Sequence, residues 1–70
     1  MNGDYFRGTV KLHMELNGIK NLEAVRKLTT IGSNKTFLRY WHRPELMPQG
    51  EVENIMTGLR VPREEWFRWV

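Results

Sequence analysis

Polar and apolar residues alternate at short range along the 70-residue chain, and their spacing divides it into five segments. In the first, residues 4–16, Phe6, Val10 and Met14 recur at every fourth position, the spacing of one helical face. Val10, Leu12, Met14 and Leu16 also alternate, which fits a strand as well. Asn2 or Asp4 supplies a helix cap and Asn17-Gly18 a stop signal. The second segment, 21–29, opens on a capping Asn and sets Leu22, Val25 and Leu28 three apart, until Thr29-Thr30-Ile31-Gly32 breaks the pattern. Ser33 caps the third, where Phe37 with Tyr40 or Trp41 forms an inward stripe and Asn34, Lys35, Leu38, Arg39 and His42 fall on other faces. Pro44 and Pro48 bound an irregular loop, because the residue before a proline avoids helical geometry. The fourth segment, 49–59, places Val52, Ile55, Met56 and Leu59 on one face, with Gly58 weakening its end. In the last, Pro62 suits a first helical turn, Glu64-Glu65 suits a helix start, and Trp66, Phe67, Trp69 and Val70 make an apolar tail. The expected architecture is all-α: one domain over 1–70 made of five short helices with tight connections.

Size and composition narrow what such a domain can do. A chain this short buries only about 60% of the surface its unfolded form exposes, so the core is thin and a separate catalytic domain does not fit. Cysteine is absent, which excludes disulfide staples, thiolate metal sites and cysteine nucleophiles together. Apolar residues at 40% and three Trp predict folding rather than disorder. Apolar runs are far shorter than a membrane span or signal-peptide core, so a cytoplasmic protein without membrane contact is expected. His13 and His42 are the only histidines, neither has a partner at metal-ligand spacing, and no Gly-rich phosphate loop or serine elbow occurs. The expectation is therefore no enzyme, no metal, no cofactor and no small-molecule substrate. Charge is unevenly spread: residues 1–44 hold eight Lys/Arg against three Asp/Glu, and residues 45–70 hold three against five. A basic first two-thirds suggests a one-sided polyanion footprint, or a solvated surface whose charges happen to segregate.

The stretch NLEAVRKLTTIGSNKTFLRYW carries most of the functional information. Two short helices joined by a turn, the second capped by Ser33 and carrying Asn, Lys, Thr and Arg, describe a helix-turn-helix. The second helix, 33–42, has to lie in a major groove about 12 Å wide with its early residues at the base edges. Asn34, Lys35 and Arg39 share one side and carry the forked or long donors such readout needs. Ser33 leaves the helix amino end, with its free amides, where a phosphate can sit. Lys20, Arg26, Lys27 and Arg43 supply phosphate attraction, with Asn21 and Thr36 beside them.

At these residues the chain resembles the Cro and repressor type of phage helix-turn-helix proteins, the XRE-like group. The resemblance covers roughly residues 19–67. SNKTFLRY looks like the family's recognition helix, IMTGLRVPREEWF like its fourth-helix ending and following turn, and Pro48 falls near the proline that opens its fourth helix. It implies a lambda-repressor-like DNA-binding domain with the helix-turn-helix at helices 2 and 3. It also implies base contacts at Asn34, Lys35 and Arg39, core positions at Phe37 and Tyr40, and backbone contacts at 20–22 and around Arg43. The chain departs from the family in three places. Its turn between the two helices is longer, with Thr29-Thr30 where a Gly is usual. Val25, or Arg26 in a shifted register, stands for a small Ala, and Trp41-His42-Arg43-Pro44 replaces a Glu-Asn-Gly loop.

The expected function is a sequence-specific transcriptional regulator of a phage or other mobile element, bound to double-stranded DNA. One recognition helix covers few base pairs, which favours a homodimer on a two-fold site. Trp66, Phe67, Trp69 and Val70 either close the core under the first helix or form that dimer interface. Two other jobs fit the same residues. One is an accessory protein of excision or recombination; the other is a protein-binding inhibitor on this scaffold, using the Trp41–Pro44 loop and the aromatic tail.

Overall fold

A computed structural model of the protein describes residues 2–66. Among these, every regular element is helical: α1 (Gly3–Leu16), α2 (Leu22–Arg26), α3 (Asn34–His42), a 3-10 turn (Pro44–Leu46), α4 (Gln49–Gly58) and α5 (Arg63–Trp66). The radius of gyration is 10.9 Å, against about 11 Å for a compact chain of this length. No helix among the described residues is long and apolar enough to cross a membrane.

Helical spacing wins over alternation in α1. Phe6, Val10 and Met14 are buried, while Leu12 and Leu16, which a strand would have turned inward with them, are 51% and 69% exposed. Asn2 caps the start by accepting from the Tyr5 amide at 3.1 Å. At the other end Gly18 adopts φ +70°, and the Ile19 amide returns to the Met14 carbonyl at 2.8 Å, a glycine-terminated Schellman stop. Asn17 ties this end to the body, its Nδ2 donating to the carbonyls of His13 (2.6 Å) and Leu59 (2.8 Å).

α2 is shorter than its pattern predicts, ending at Arg26 rather than Thr29, and its connection to α3 is residues 27–33 instead of a tight turn. Side chains compete with the helix for its backbone. The Thr29 hydroxyl donates to the Arg26 carbonyl (2.6 Å) and accepts from the Ile31 amide (3.1 Å). Thr30 is drawn off to α4, where the Glu51 carboxylate accepts from its hydroxyl (2.5 Å) and its amide (3.2 Å). Leu28 still packs against the core, and its methyls lie where a side chain on Gly58 would sit, at 2.7 Å from an added Cβ. Gly58 thus admits the α2–α3 connection against α4, at the helix end its sequence weakens.

One core joins the pieces. Phe37 of α3 and Phe6 of α1 are fully buried together with Val10, Val25, Ile55, Met56 and Leu59. Phe6 meets Trp41 with ring centroids 6.2 Å apart at 59°, the tilted geometry aromatic pairs favour. α4 leaves through Arg60, which adopts φ +59° while the Val61 amide bonds the Met56 carbonyl at 3.0 Å. Pro62 precedes α5 rather than opening its first turn. Trp66 is half-buried against the core, its indole N–H donating to the Val61 carbonyl at 2.9 Å under the Arg63 guanidinium. Glu65 comes within 3.6 Å of the buried His13 Nε2. Of the aromatic tail, Trp66 therefore takes the core-closing role; Phe67, Trp69 and Val70 lie outside the described residues.

Candidate nucleic-acid interface

α3 is anchored on one face and open on the other. Ser33 Oγ accepts from the Thr36 amide at 3.3 Å, so the helix starts where its cap predicts. Phe37 and Trp41, one turn apart, fix its inner face in the core. Its last carbonyls are held by a residue from α1: Arg7 Nη1 donates to Trp41 O (2.9 Å) and His42 O (3.2 Å), and Nη2 pairs with Asp4 at 2.7 Å. A guanidinium at a helix carboxyl end both satisfies orphan acceptors and opposes the dipole. Nothing in the local spacing marks Arg7 for this, since its partners lie more than thirty positions away.

The outer face collects Asn34, Lys35, Arg39 and His42, all exposed, around half-buried Thr36 and Leu38. Lys35, Thr36, Leu38, Arg39 and His42 line one shallow depression. The Arg39 guanidinium carbon lies 5.5 Å from the Tyr40 ring centroid, within cation–π range. α3 itself contains no acidic residue. His42 was not among the residues expected at the base edges, though its place three beyond Arg39 and seven beyond Lys35 puts it on their side.

Residues expected at phosphates fall into two groups. Lys20 and Lys27 are exposed and have no acidic partner among the described residues. Arg43 is exposed beside the α3 end and donates to Glu45 at 3.3 Å; the side-chain oxygens of Asn21 and Ser33 are occupied as helix caps. The Glu45 carboxyl is held below its ordinary value chiefly by a backbone hydrogen bond; desolvation opposes this, and Arg43 and then Arg7 add to the lowering. Arg26 is committed to the fold. Its side chain is largely covered, Nη1 donates to the Ile31 carbonyl at 3.1 Å and Nη2 lies 3.5 Å from Glu23, so the guanidinium braces the connection leading to Ser33. Thr36 is half-buried within the depression.

The connection is braced a second time by Glu51, a buried carboxylate that the hydrophobic pattern of α4 does not single out. It accepts from Thr30 and, at 2.9 Å, from Asn54 Nδ2. The Thr30 hydroxyl bond is the main reason its carboxyl lies below the ordinary value; the Thr30 amide and Asn54 add to the effect and burial opposes it. Arg26 and Glu51 therefore fix where α3 begins, and Arg7 and Trp41 where it ends. The result is a rigidly mounted short helix with a solvated cationic and amide-bearing face, which can donate several hydrogen bonds to an anionic or acceptor-rich surface. Comparison of the chain with family models, with curated proteins and with solved structures finds no match.

Proposed function

We propose that the protein is a sequence-reading DNA-binding transcriptional regulator, a small helix-turn-helix protein of the Cro and repressor type. The observation that carries this reading is the outer face of α3: Asn34, Lys35 and Arg39 exposed together on a helix without acidic residues, mounted on a buried Phe37 and Trp41. A helix with its side chains is about 10–12 Å across, which fits the roughly 12 Å major groove, and nine residues reach about 13 Å along it. In this reading Arg39 pairs with guanine and Asn34 with adenine by donor geometry, Lys35 reaches an adjacent base edge, and Leu38 offers methyl contact to thymine. Lys20, Lys27 and Arg43, with the amino end of α3, hold the phosphates, while Arg26 acts chiefly by keeping the connection in place. The connection between α2 and α3 is residues 27–33, longer than the tight turn of the family pattern.

A salt-dependent titration against the chain's own upstream DNA and a scrambled duplex tests the reading. Tight binding to the first and weak, steeply salt-dependent binding to the second are expected, the slope counting phosphate contacts. Equal or absent binding to both retires it. Footprinting then separates a promoter-bound regulator from an accessory protein seated at a recombination end.

A further inference from the structure

α1 presents a second outward face, of opposite character to that of α3. Leu12 and Leu16 are two of the three large apolar residues that stand exposed among the described residues, at 51% and 69%, and they lie one turn apart. Gly8, a turn before Leu12, is also exposed, and nothing lies within 4 Å of where its side chain would be. Gly8, Leu12 and Leu16 thus form one stripe at every fourth residue along the helix. Lys11 and Glu15, both exposed, run beside it along a single flank.

We propose that this stripe is a self-association surface, and that its occupant is α1 of a second copy packed antiparallel about a two-fold axis through Leu12. The stripe is self-complementary in shape and in charge. When Leu12 meets its counterpart, Leu16 of each chain falls over the open space at Gly8 of the other, a large residue opposite the smallest. An antiparallel pair also sets each flank against the same flank of its partner. Lys11 of one chain then comes within about 3 Å along the axis of Glu15 of the other, and the symmetry repeats the pair. The two Lys11 lie equally close along the axis, one like pair against two opposite ones, whereas a parallel two-fold pairing turns this flank toward the partner's other flank and forms neither Lys11–Glu15 pair. This surface is separate from the Trp66 end of the chain, and the proposal does not rest on DNA binding. Fourteen helical residues cover less than the usual ~800 Å² per partner, so the dimer is a weak one.

Sedimentation equilibrium of the purified full chain without DNA, from about 10 μM to about 1 mM, spans the affinity such a contact supports. The wild type is expected to dimerise in that range and L16E to stay monomeric. K11E alone and E15K alone should each weaken association roughly tenfold or more, since each sets like charges together twice. An equimolar mixture of K11E and E15K should recover it, because every cross-chain pair is again opposite in sign. All three substituted positions are solvent-exposed, and unchanged helical circular dichroism verifies that the variants fold. A wild type that remains monomeric throughout overturns the proposal, as does a dimer indifferent to L16E or a charge-swapped mixture no tighter than its components.

Discussion

α1 and α3 are built by the same rule and end with opposite surfaces. Each starts at an extended capping residue, Asn2 or Ser33, and each buries aromatic or aliphatic residues one turn apart, Phe6, Val10 and Met14 or Phe37 and Trp41. Outward, α1 shows Leu12 and Leu16, whereas α3 shows Asn34, Lys35, Arg39 and His42. The inner faces explain why the helices exist, and they are interchangeable in kind. The outer faces cost the fold little to change, so they can differ while the helices persist. Arg7 links the two helices, since a side chain of α1 closes the carboxyl end of α3.

Substitutions at four positions probe this contrast. Phe37→Ala strikes the shared inner rule and should cost about 3–5 kcal/mol, as large buried aromatics do, leaving a chain this small largely unfolded in thermal or urea denaturation. If it cost no more than an exposed-residue change, the inner face would not be what holds α3. Glu51→Ala attacks the mounting of α3 rather than its core, and about 2 kcal/mol is expected from the lost charge-assisted bonds. Because the carboxyl sits below its ordinary value of 4.5 in the folded chain and reverts on unfolding, its contribution is present above that pH. It is lost as the pH falls through the depressed folded value. Stability measured down the acid limb should therefore decline less steeply in Glu51→Gln than in wild type.

Arg39→Ala belongs to the outer face. It should leave the unfolding midpoint within about 0.5 kcal/mol of wild type while costing roughly 1–3 kcal/mol in DNA binding and relaxing preference at one base pair. Unaltered sequence preference in competition binding would remove Arg39 from the base edges. The smallest effect, and the only gain, is expected at Arg60, a non-glycine residue at φ +59°. Arg60→Gly should raise stability by about 0.5–1 kcal/mol in urea melts by relieving the left-handed backbone. It lies outside both outer faces, so DNA affinity should be unchanged, and a large change in it would mean that the α3 face is not the sole determinant of binding.

Much of the helical outline was legible because its signals are local. The caps at Asn2, Asn21 and Ser33 act within three residues, and the inward positions of α1, α3 and α4 recur at the helical period. The outer face of α3 was legible for the same reason, as the complement of Phe37 and Trp41. His42 falls on that face by the same spacing, though spacing alone does not mark it for a base contact.

The sequence by itself determined where α1, α3 and α4 form and which of their sides turn inward, since backbone hydrogen bonds, capping and amphipathic burial all depend on residues within a turn or two. Only the tertiary structure decided where α2 stops, because Thr30 is captured by a carboxylate 21 positions away. It alone decided that Arg26 and Arg7 are braces rather than free surface cations, and that Gly58 makes room for Leu28. Those outcomes depend on which distant groups the packed core brings within hydrogen-bonding or van der Waals reach, and spacing along a chain carries no record of that distance.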